Sequence, residues 1–147
     1  MRPIGLVLFI ALLLPIAHAS DADSKPLDPV ALAALVTKAN LAPPKDQCYL
    51  YAELVHQMTV LAGSQLSQGE DPTATLRAVR DYTMKIHMNE ANDHKKLKNA
   101  QILMERTAYR LNEILHSAAL EDRPILESTL KNLNQVQNEL MMQVFRH

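Results

Sequence analysis

Tryptophan is absent from this 147-residue chain, which has one cysteine, three glycines, two phenylalanines and four tyrosines. So few aromatics leave little for stacking on bases or sugars. A single cysteine excludes an internal disulfide. It also excludes covalent haem of the c type, because Cys48 is followed by Tyr49-Leu50-Tyr51-Ala52 and not by a second cysteine and a histidine. No glycine-rich phosphate loop is present, Ser64, Ser67, Ser117 and Ser128 stand in no nucleophile elbow, and Cys48 has no base near it in sequence. Scarce glycine suits helices joined by short turns, and no stretch shows the period of two that marks a strand.

Charge of one sign is lacking too. Fifteen Lys and Arg face 16 Asp and Glu, a formal net charge of −1. Without Arg2, which falls in the leader, the charge is about −2, so there is no electrostatic case for nucleic acid.

Arg2, the apolar run from Ile4 to Ile16, and Ala17-His18-Ala19 ahead of Ser20 have the charged start, short greasy core and small-residue cleavage site of a secretory signal. A spanning helix needs about 20 apolar residues, and this run is shorter and holds Pro15. Residues 1–19 are therefore expected to be removed, leaving a soluble periplasmic or secreted chain with no transmembrane segment. About 128 residues remain, enough for one domain with a real core. In an oxidising compartment Cys48 reads either as a semi-buried thiol or as half of an interchain disulfide.

Residues 20–43 form an acidic, proline-punctuated segment. Within it Asp28-Pro29 followed by Val30 to Val36 predicts a capped short helix, which docks on the body or frays. The body, 44–147, predicts an all-α antiparallel bundle of long amphipathic helices at about 44–67, 72–89, 94–119 and 123–146. Gly69, Asp71-Pro72 and Asp122-Arg123-Pro124 supply the stops and starts. The segment Met88 to His94 is rich in turn formers, which divides 72–119 into two helices. Against that division, Leu76, Val79, Ile86, Leu97, Ala100, Met104, Leu111, Ile114 and Ala118 keep one heptad register across the gap, skipping Thr83, Glu90, Asp93 and Thr107. One continuous kinked helix over 72–119 fits the pattern as well.

On a helical wheel, residues 44–67 put Leu50, Tyr51, Leu54, Val55, Met58, Leu61 and Ala62 on one arc, with Cys48 at its margin. Glu53 and His56 face away. They matter because Glu53-x-x-His56 and Glu113-x-x-His116 are the spacing that supplies ligands in di-iron and di-manganese bundles. The wheel turns both pairs toward solvent, where such ligands must point inward. A second set, His87, Glu90 and His94, shares one side of a helix at spacings of three and four and suits Zn or Cu; the plainer reading is a solvated face with Glu90 paired to His94. Met84 and Met88 lie off the main stripe and mark a contact surface, and Lys95, Lys96 and Lys98 form the densest run of positive charge.

The sequence thus reads as an exported helical bundle acting as a binding or structural module for a protein partner or a second copy of itself, without a cofactor. The alternative is a metal or redox bundle that uses the Glu-x-x-His pairs with Fe, Mn, Zn or Cu.

Overall fold

The backbone at Asp28 is extended and its carboxylate accepts the Ala31 N–H at 2.8 Å, so the chain enters α1 (Pro29–Leu41) through the capped turn its sequence predicts. The structure, a computed structural model, describes residues 25–87 and 93–146; the expected leader, Met88 and Glu90 lie outside the described residues. Four longer helices follow: α2 (Pro44–Ser67), α3 (Thr73–His87), α4 (His94–Ser117) and α5 (Arg123–Phe145). No strand occurs among the described residues.

The boundary between α2 and α3 has a local cause. The α2 helix stops in paired reverse bonds, Gly69 N–H to Leu66 O (3.1 Å) and Glu70 N–H to Gln65 O (2.8 Å). These need the positive φ of 74° that Gly69 adopts without strain. Asp71 then accepts from the Thr73 amide (2.9 Å) and hydroxyl (2.6 Å) at the head of α3.

Asp93 decides between the two forms the sequence left open. Its backbone is extended, with φ −90° and ψ 104°, and its carboxylate accepts the Lys96 N–H at 3.1 Å. That is an N-cap, and a continuous helix over 72–119 is thereby excluded. The heptad register nevertheless survives the break, because α3 and α4 both pack on the same two helices, α2 and α5. Leu76, Val79, Thr83 and Ile86 form the buried stripe of α3; Leu97, Ala100, Met104, Thr107 and Leu111 form that of α4. The skipped Thr83 and Thr107 are therefore in the core. Each donates its hydroxyl to the carbonyl four residues back at 2.7 Å, which satisfies the polar atom without a partner helix.

Residue pairs give the helix directions. Asp46 with Lys96, His56 with Thr107 and Gly63 with Ile114 are offset by 50, 51 and 51 residues, so α2 and α4 run parallel. His87 with Glu139 puts the last turn of α3 beside the last turns of α5. Tyr51 stacks on Tyr82 with centroids 5.9 Å apart, joining the start of α2 to the end of α3 in an antiparallel hairpin. The bundle is two such hairpins, α2–α3 and α4–α5, laid side by side.

The docked α1 helix buries Leu35 and Ala39 against α2. At its C-terminal end Asn40 Oδ1 accepts from the Tyr51 hydroxyl and from Lys85 Nζ, both at 3.4 Å. Lys85 also stands 5.4 and 5.1 Å from the centroids of Tyr51 and Tyr82. With α1, α3 and α4 all packed on it, α2 buries far more than one arc, and Cys48, Ala52, His56 and Thr59 join the core.

Candidate functional site

The parallel register of α2 and α4 settles where the two Glu-x-x-His motifs lie. They are 60 residues apart in sequence, whereas the helices pack at an offset of 51. The second motif therefore sits nine residues, about 13 Å, further along the bundle than the first. The side chains diverge as well. His56 is buried and not solvated, a correction to the wheel, and its Nδ1 lies 3.0 Å from Thr107 Oγ1. Glu53 is half-buried, Glu113 is exposed, and exposed His116 donates from Nδ1 to its own helix at Asn112 O (2.7 Å). His87 is engaged by Glu139 of α5. Among the described residues no three His, Cys, Asp or Glu side chains gather closely enough to hold a metal ion.

Cys48, placed by the wheel at the edge of the apolar arc, is fully buried. Burial pushes its thiol up to about 11 from an ordinary 9.0. A thiol enclosed in this way cannot meet a second chain without opening the fold.

The basic run has a different outcome. It forms the first turns of α4, where the helix stands between two grooves. On one side Lys96 closes a cleft of about 570 Å³ whose walls come from the α1–α2 turn, including Leu41 and Pro43, and from Tyr49, Leu50 and Glu53 of α2. Lys96 reaches across it to form an ion pair with Asp46. On the other side His94, Lys98 and Gln101 face Met141, Val144 and Phe145 of α5 across a groove of about 540 Å³. Lys95 is exposed beside them. Of its apolar residues Phe145 is 82% exposed and Met141 36%; Met142, which does not line the groove, is 55% exposed on the same last turns of α5. One wall of this groove is polar and carries the Lys98 charge, and the other is apolar.

Met84, read as a contact residue, is partly exposed in a separate groove whose other walls are polar: Arg77, Arg80, Asp81 and Asn132. It does not join the groove at α4. Met141, Met142 and Phe145 escaped the sequence reading. Their signal is that they lie off the stripe Leu126, Thr129, Leu133, Val136 and Leu140 that α5 buries.

No helix among the described residues is long and apolar enough to cross a membrane. No protein family model, curated protein or solved structure matches the chain.

Proposed function

We propose that this protein is an exported binding module that docks a protein partner in the groove between the first turns of α4 and the last turns of α5. The observation that carries the reading is the apolar wall of Met141, Val144 and Phe145 facing Lys98 and His94. Side chains such as Phe145 and Met141 are exposed large hydrophobics outside the buried core. Covering them is favourable by about 25 cal/mol per Å² of apolar surface. The Lys98 charge adds a preference for an acidic partner and favours its encounter over that of neutral or basic proteins. A bundle that holds its apolar groove on two rigid helices presents it with little ordering cost on binding.

The test compares partners held by chemical fixation in cells. Met141→Lys and Phe145→Lys alter exposed positions and are expected to fold, which circular dichroism checks. Each is expected to lose the fixed partner by roughly tenfold or more, as for a central contact residue. Tyr109→Lys, at an exposed site midway along α4, is expected to retain it. Groove variants that keep the wild-type partner in full yield overturn the reading.

A further inference from the structure

The helix directions sort the charges of this chain into two poles. The α2 and α4 helices start, and α3 and α5 end, at the same end of the bundle. Among the described residues that end carries Lys38, Lys45, Lys85, Lys95, Lys96, Lys98 and Arg146 against Asp46, Glu53, Asp93 and Glu139. The opposite end holds the α2–α3 and α4–α5 turns. Glu70, Asp71, Glu113, Glu121, Asp122 and Glu127 gather there against Arg77, Arg110 and Arg123. The near-zero net charge of the chain therefore conceals a strong separation of sign along the bundle axis.

Each pole also carries exposed apolar surface. The basic pole has Met142 and Phe145; the acidic pole has Leu120, 78% exposed, beside a groove in which Leu66, Ile114, Ala118 and Ala119 stand with Ser67, Ser117 and Asp122. We propose that the basic pole of one chain docks on the acidic pole of a second copy, head to tail, with Phe145 and Met142 meeting the apolar part of that groove at the acidic turns. The proposal rests on the α4–α5 groove being a docking surface and names what occupies it. A symmetric dimer through the basic poles would set like charges together. An anionic lipid surface would use the basic pole alone and leave the acidic groove without a role. Docking basic to acidic end uses both. Because the two surfaces differ, each added copy leaves one pole of each kind open, so the contact extends into short chains of subunits until the ring closes or the ends are capped.

The test is sedimentation velocity of the purified protein over a range of concentrations. At about 50 mM salt a series of masses at multiples of the monomer is expected, collapsing to monomer near 500 mM as the charges are screened. Two charge reversals separate the poles. Lys95→Glu with Lys98→Glu makes the basic pole acidic, and Glu70→Lys with Glu121→Lys does the converse. These four side chains are exposed and take no part in the Asp46–Lys96 pair or the Asp71 and Asp93 caps. Each variant, folded by circular dichroism, is expected to self-associate at least roughly tenfold more weakly than wild type, and an equimolar mixture of the two is expected to associate again. A wild-type protein that stays monomeric at low salt overturns the proposal. So does association that survives either reversal, or a mixture that fails to associate. If the protein is monomeric while Phe145→Lys still loses a fixed partner in cells, the groove remains a docking surface and only its occupant is wrong.

Discussion

His56 Nδ1 lies 3.0 Å from Thr107 Oγ1, inside the contact between α2 and α4. The Thr107 hydroxyl proton is committed to Leu103 O at 2.7 Å, so the imidazole must be the donor and the hydroxyl oxygen the acceptor. One residue of α4 thus passes a polar link from a histidine of α2 to its own backbone. The pair ties the two hairpins together at one register.

Thr107→Val keeps the shape and removes the acceptor. It is expected to cost about 1–3 kcal/mol in urea unfolding, the range for removing one partner of a buried polar contact. His56→Ala and the double variant complete a cycle, and coupling indistinguishable from zero would mean that the two groups do not interact.

Gly63 tests the same register further along. A Cβ built there lies 2.9 Å from Ile114 Cδ1 and 3.4 Å from Cγ1, the outer atoms of a partly exposed side chain. Gly63→Ala gains helix propensity and needs only a small shift of Ile114, so its stability is expected within about 1 kcal/mol of wild type. Gly63→Leu is expected to lose about 1–3 kcal/mol through overpacking, and Ile114→Ala to recover part of that loss. No recovery would place Ile114 away from Gly63.

Cys48 gives a pH dependence of defined sign. Its thiol titrates near 11 in the folded chain against 9.0 unfolded, so the folded state holds the proton more tightly. The contribution is fully present below pH 9 and is lost as pH rises from 9 through 11. Between pH 8 and 10, wild type is expected to lose about 1 kcal/mol more stability than Cys48→Ala. The native thiol is also expected to resist alkylating reagents at pH 8 and to react on unfolding. Rapid labelling of native protein would contradict its burial.

The break at Asp93 is open to a distance measurement. Arg77 and Glu113 are both exposed. A continuous helix separates their Cα atoms by about 54 Å. Folded back on α2 and α5, the two positions come within about 20–25 Å, which paired spin labels at 77 and 113 resolve.

Helix existence and most boundaries were legible because they rest on local chemistry. Asp28-Pro29, Gly69 and Pro124 act within a turn of themselves, and α2 runs over the predicted 44–67. The burial of His56 was not legible, since a wheel ranks one face and cannot know that three helices will grip α2. A hint existed: residues 54–69 contain no Lys, Arg, Asp or Glu. The register across 88–93 misled for a related reason, because separate helices facing the same two neighbours show the same stripe as one long helix. Lys98 was singled out by charge density alone, and its apolar counterparts are 43 and 47 residues away at Met141 and Phe145, a pairing only the fold supplies.

Photo-crosslinking from single positions in the intact protein tests the docking groove most directly. A photoreactive residue at Gln101, Met141 or Phe145 is expected to give a defined protein adduct in the compartment where the chain resides, and the same group at Tyr109 or Lys131 is expected to give none. Adducts from Tyr109 and Lys131 equal to those from the groove, or none from the groove, would contradict it.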